Sequence, residues 1–219
     1  MLEAAKPTEI NQSGAGTCGA TSATYMMSRT NPAEYVRLTT GLCSPSGSVQ
    51  MANGETLNRG VDCIRPDLAN GRSATERVLQ NSLSDYANGA TPYNTHTNLG
   101  GGIGGDEARK MLSAMFNHKH IRQASEEGVT PQGITDICDK RQPKESFVAL
   151  SWGGGNHFVA VDKVDKDYVY FRNPHGSGSA PGGVRTDPPP REVLDPHTGY
   201  TRMKKSDFYT NVQSVSIPD

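Results

Sequence analysis

Apolar residues are scarce in this chain. They make up 34% of 219 residues, with one Trp and five Phe. No apolar run approaches the ~20 residues that cross a bilayer as a helix, so no membrane span is expected. Neither sign of charge is in excess: 22 Lys and Arg stand against 23 Asp and Glu. A net charge of −1 points to neither nucleic acid nor an anionic membrane as partner. Cysteine is sparse too. Cys18, Cys43, Cys63 and Cys138 form no Cys-x-x-Cys and no paired Cys/His spacing, so no metal site is read, and no cofactor is called for. Cys43 and Cys63 lie in a turn-rich region and either pair in an oxidising compartment or stay free, with free thiols the expectation. The first ten residues carry Glu3, Lys6 and Glu9 and lack the apolar core of a signal peptide. The expectations are a piece of a longer protein, a module exported by a signal-independent route, or a cytoplasmic protein. What the chain does have is glycine and proline, 24 and 14 residues, among clearly patterned apolar segments. That is the composition of a loop-rich globular protein, long enough for one domain spanning 1–219.

The chain is organised around Asn11-Gln12-Ser13-Gly14-Ala15-Gly16-Thr17-Cys18-Gly19-Ala20. Gly14 and Gly16 allow a tight turn. The small residues that follow, up to Met27, suit a closely packed helix. Cys18 therefore sits at a helix N-terminus, where the partial positive charge favours thiolate, the reactive form. Gln12 lies six residues upstream, and its side-chain amide can fold back to donate to an oxyanion. Taken alone, the segment reads equally well as an inert cysteine on a buried helix. A catalytic thiol needs a base, and the base needs an orienting group. Trp152-Gly-Gly-Gly-Asn-His157-Phe-Val-Ala-Val161 is a glycine turn followed by an apolar strand. It returns as Tyr168-Val-Tyr-Phe-Arg172, then Asn173-Pro174-His175-Gly176. An antiparallel hairpin brings His157 and Asn173 together, so that the Asn amide oxygen can fix the imidazole tautomer.

Gln12, Cys18, His157 and Asn173, in that order, resemble the papain-like cysteine peptidases. His157 follows Cys18 by 139 residues (157 minus 18), within the roughly 130–150 of papain-type enzymes. Cys18-Gly19-Ala20 with His157-Phe-Val-Ala-Val161 is similar to the bacterial peptidases that trim leader peptides after paired glycines, which usually carry Asp where Asn173 stands. Phe171-Arg-Asn-Pro-His-Gly176 is similar to the Arg-Asn-Pro-Trp-Gly segment of calpains. Two positions depart from the pattern: no Trp follows Cys18, and His175 replaces the aromatic that usually shields the Asn. The likeness covers residues 10–30 and 146–176. It implies an α+β, papain-like fold, with N-terminal helices over about 10–142 packed on a C-terminal antiparallel sheet over about 143–219. It also implies a Cys18–His157–Asn173 triad, Gln12 in the oxyanion hole, and a protein or peptide substrate. Three outcomes stay open: peptide hydrolysis, deamidation or transglutamination of glutamines by the same machinery (as in bacterial toxins and effectors), and a binding module that kept the fold without the activity.

Between the two ends, Asn31 and Pro32 start a helix that Gly41 stops. Residues 44–71 carry no periodicity. Ser73-Ala-Thr-Glu76 is a capping box opening a helix to about residue 88. The glycine run at 100–105 imitates a phosphate loop, but no strand precedes it and no Lys-Ser/Thr closes it. A helix over 106–123 follows, with Ala108, Met111, Leu112, Met115 and Phe116 on one face. His118 and His120, two apart, face different sides of it and read as solvated. A short helix after Gly133 places Cys138 in the core. Residues 144–152, 157–164 and 167–172 read as three successive antiparallel strands. Residues 174–200 read as an irregular rim in which His197 is exposed. An edge strand at 201–203, a helical turn at 205–209 and a closing strand at 212–217 complete the chain.

Overall fold

A computed structural model of the chain describes residues 2–60, 63, 71–89, 102–117, 121–123, 146–152, 155–175 and 189–218. The expected helix around Cys138, Cys138 itself, His118 and His120 lie outside the described residues. The architecture is α+β. Four helices dominate the first half: α1 (Leu2–Ala5), α2 (Cys18–Thr30), α3 (Pro32–Cys43) and α4 (Ala74–Asn88), followed by α5 (Gly105–Phe116). A small hairpin, β1 (Ser48–Gln50) and β2 (Thr56–Asn58), sits within the stretch read as irregular. The second half is an antiparallel sheet in the order β3-β9-β4-β5-β6-β8-β7. Its strands are β3 (Ile121–Gln123), β4 (Ser146–Trp152), β5 (Gly155–Val164), β6 (Tyr168–Arg172), β7 (Glu192–Asp195), β8 (Tyr200–Lys204) and β9 (Val212–Pro218), with α6 (Lys205–Asn211) before the last.

The helix starts follow from side chains that satisfy otherwise orphaned amides. Asn31 Oδ1 accepts from Glu34 N at 3.2 Å, with Pro32 in the first turn of α3. Ser73 Oγ accepts from Glu76 N at 3.1 Å, and the Glu76 carboxylate accepts from Ser73 N in return. Both caps stand as the sequence predicts.

Helix α2 is buried from Cys18 through Ser28. Its many hydroxyls survive burial because each finds a partner: Ser22 Oγ donates to Phe158 O at 3.0 Å, Thr24 Oγ1 to Thr21 O at 2.9 Å, and Ser28 Oγ to Glu3 O at 2.7 Å. Small residues let neighbours approach. A methyl at Gly19 would meet Ile103 Cδ1 at 2.5 Å. The central strands β4 and β5 are buried on both faces, which explains their unbroken apolar runs. Phe147, Ala149, Phe158 and Ala160 face the helices. Val148, Leu150, Val159, Val161 and Phe171 face the other way, under Phe208 of α6.

Four expectations are corrected. Gly41 does not stop α3, which runs to Cys43; the glycine is there because β1 presses on the helix, its Val49 Cβ lying 2.7 Å from where a methyl would be. Helix α5 ends at Phe116 rather than 123, because Asn117 turns left-handed at φ 54 and the chain goes on into β3. The rim after Asn173 contains β7, and β8 is an interior strand between β6 and β7 rather than an edge. Among the described residues, no helix is long and apolar enough to cross a membrane.

Candidate active site

The loop that delivers Cys18 is pinned from three sides. From the sheet, buried Arg172 donates through Nη2 to Ile10 O at 2.8 Å, and Pro174 O accepts from Gln12 N at 2.7 Å. From α4, Glu76 Oε1 accepts from Asn11 N at 2.7 Å, and Gln80 Nε2 donates to Asn11 O at 3.0 Å. Gln80 Oε1 accepts from Thr17 Oγ1 at 3.1 Å, the residue before Cys18. From within the loop, Gln12 Nε2 donates to Ala15 O at 2.6 Å. That bond uses one of the two Gln12 amide protons and leaves the other, so the loop employs this side chain structurally as well. A methyl at Gly102 would lie 3.7 Å from Gly16 O, so the described end of the glycine run lies along this loop, and Ile103 covers Gly19.

The sheet supplies the other half. Register pairs Ala160 with Arg172, which sets His157 at the start of β5 beside Asn173 at the end of β6. His157 Nε2 lies 2.9 Å from Asn173 Oδ1. Asn173 Oδ1 also accepts from His175 N at 3.2 Å, which identifies it as the oxygen side of the amide. Nε2 of His157 must then carry the proton, and Nδ1 is the basic nitrogen. The ring is walled in by aromatics. Trp152 stands 4.9 Å away between centroids, and His175 stacks on it at 4.7 Å with planes 10° apart. His175 thus covers one face of the His157 ring. Arg191 lays its guanidinium 4.6 Å above the Trp152 ring.

The two halves meet at Phe158, the residue after His157. The thiolate form of Cys18 is favoured by the backbone N–H groups of Phe158, Gly19 and Cys18, but burial outweighs them and pushes the thiol up. Burial, then the neighbouring His175, pushes the His157 imidazole down to about 3, with Arg191 acting in the same direction and the Asn173 hydrogen bond opposing. Both effects have one cause, since a low-dielectric site disfavours the charged form of each group. Burial thus opposes the charged form of both groups, against the thiolate that the helix N-terminus alone favours. The thiol is set by burial and these amides rather than by the imidazole.

Cys18, Gln12, His157 and Asn173 are thus all buried around the junction of α2 with β5 and β6. Cys43 is exposed, Cys63 is buried, and both are free thiols. His197 is exposed as expected. Sequence reasoning missed Glu76, Gln80, Arg172 and Arg191. Arg172 had a signal in its place directly before Asn173. Glu76 was seen only as a capping residue, and nothing local marks Gln80 or Arg191. Among the described residues, no group of three or more metal-binding side chains converges. No family model matches this chain, and no curated protein matches it in sequence.

Proposed function

We propose that this protein is a cysteine peptidase of the papain-like kind, hydrolysing peptide bonds through Cys18, His157 and Asn173. The observation that carries the reading is the 2.9 Å contact between His157 Nε2 and Asn173 Oδ1. It leaves Nδ1 as a base on the strand whose next residue, Phe158, supplies one of the backbone amides that favour the Cys18 thiolate at the start of a buried helix.

The chemistry follows from these positions. Cys18 Sγ attacks the carbonyl carbon as its proton passes to His157 Nδ1. The oxyanion takes the Cys18 N–H and the second amide proton of Gln12. Collapse breaks the C–N bond, and the imidazolium returns its proton to the leaving amine. Water, deprotonated by the same imidazole, then cleaves the thioester and restores the thiol. Because burial disfavours the charged form of each group, His157 acts as a general base during attack rather than as half of a standing ion pair.

Digestion of casein and of a mixed peptide library tests this, with new termini read by mass spectrometry. Cys18→Ala should abolish cleavage. Gln12→Ala should lower kcat by roughly 10²–10³-fold, the usual cost of losing one oxyanion donor. Cleavage that persists in Cys18→Ala would end the proposal.

A further inference from the structure

In this mechanism His157 gives its proton to the leaving amine. The groups packed around the imidazole therefore face the part of the substrate that departs, while the acyl part stays on Cys18. One of those groups is a cation with no assigned work. Arg191 is exposed, yet its guanidinium is held 4.6 Å over Trp152, which itself stands 4.9 Å from the His157 ring. Among the described residues no carboxylate pairs with Arg191 and nothing takes a hydrogen bond from it. Stacking leaves the N–H donors at the guanidinium edge free for a planar bidentate acceptor. Its charge also reaches the imidazoles of His157 and His175.

Resting on the peptidase reading, we propose that Arg191, set on Trp152 beside the catalytic base, is a carboxylate-binding subsite for the leaving side of the substrate. The protein then prefers bonds followed closely by Asp or Glu, or by a free chain end. The same contact would offset the positive charge next to His157 just when the ring must accept a proton, so an acidic substrate assists the base as well as binding.

The test uses internally quenched peptide pools, randomised before the bond and fixed after it as Asp, Asn or Lys. A further pair of Asn pools ends two residues past the bond as a free acid or as an amide. Wild-type protein should cleave the Asp pool about five- to tenfold faster in kcat/KM than the Asn pool, the scale of a partly desolvated Arg–carboxylate pair. That ratio should fall to near one in Arg191→Ala, persist in reduced form in Arg191→Lys, and reverse toward Lys in Arg191→Glu. A merely structural role for Arg191 would slow all pools alike and leave the ratio in place. Preference for the free-acid end over the amide identifies chain termini as the carboxylate source, and preference confined to Asp identifies side chains. Equal cleavage of all pools by the wild type, or an Asp preference that survives in Arg191→Ala, overturns the subsite. If no pool is cleaved, the peptidase reading fails. Fluorescence anisotropy of the same pools on Cys18→Ala protein then decides the subsite separately: Arg191-dependent binding of the Asp pool upholds it, and equal binding overturns it.

Discussion

His157 is the residue on which the account turns, and its neighbours set both its tautomer and its charge. The Asn173 carbonyl oxygen receives two N–H groups, from His157 Nε2 and from the His175 backbone. An amide held by both bonds cannot turn without losing them, so the imidazole plane is fixed with Nδ1 free to accept. Asn173→Ala should leave the fold in place and let the ring drift. A misplacement on the order of 1 Å at a reacting group costs about 10²-fold in rate, so kcat should fall by about that factor in a peptide assay while near-ultraviolet circular dichroism stays unchanged. A wild-type rate in this variant would mean that the orienting bond does no catalytic work. A second imidazole, that of His175, stacks on the ring at 4.7 Å and covers one of its faces.

At the scale of elements, the junction of α2 and β5 is where small residues matter most. Glycine at 19 admits Ile103, and glycine at 41 admits β1 against α3. An ordinary helix-interior Gly→Ala change gains about 1 kcal/mol. At Gly41 the new methyl would meet Val49 Cβ and Cγ2, both at 2.7 Å, and the strand would have to move. Overpacking of this kind costs typically 1–3 kcal/mol, so Gly41→Ala should lower the urea midpoint at unchanged m-value; a raised midpoint would contradict the packing of α3 on β1. Here the limits of reading the chain are plain. Caps at Asn31 and Ser73, and the apolar runs of β4, β5 and β6, were legible because their causes are local: a side chain three residues from an amide, or a short apolar run bounded by turns. Gly41 was misread because a glycine that ends a helix and one that lets a strand come close look alike in sequence. Helix α5 was drawn too long because no Gly or Pro marks its end between 117 and 123, and Asn117 turns left-handed instead. Strand β7 is exposed at Glu192, Val193 and Leu194 in succession, with the last two among the large apolar side chains left in solvent.

The whole molecule divides its site between two halves of the chain. The helical half brings Cys18 and Gln12, and the sheet brings His157 and Asn173. Sequence spacing named these four residues, because a nucleophile, its base and its orienting amide must occur in some order at usable distances. It could not name the groups that dock the halves. Glu76 and Gln80 reach Asn11 over more than sixty residues of chain, and Arg172 reaches Ile10 over more than one hundred and sixty. Nor could it show that docking buries both groups, which disfavours the charged form of each. That burial has a signature. A lone thiol reacts with alkylating agents through its thiolate, so its rate climbs about tenfold per pH unit below a pKa of about 8.5. A thiol deprotonated by a neighbouring imidazole during attack keeps its rate for as long as that imidazole stays neutral. With His157 pushed down to about 3 by burial and His175, the base is neutral above that value and is lost only as pH falls through it.

Iodoacetamide labelling of Cys18, Cys43 and Cys63 from pH 4 to pH 8, mapped by mass spectrometry in wild type and His157→Ala, tests this most directly. Cys18 should label at a nearly constant rate across the range and outpace exposed Cys43 at pH 6, and both properties should vanish in His157→Ala. A Cys18 rate that climbs tenfold per unit, or that ignores the loss of His157, would contradict the pairing of thiol and imidazole.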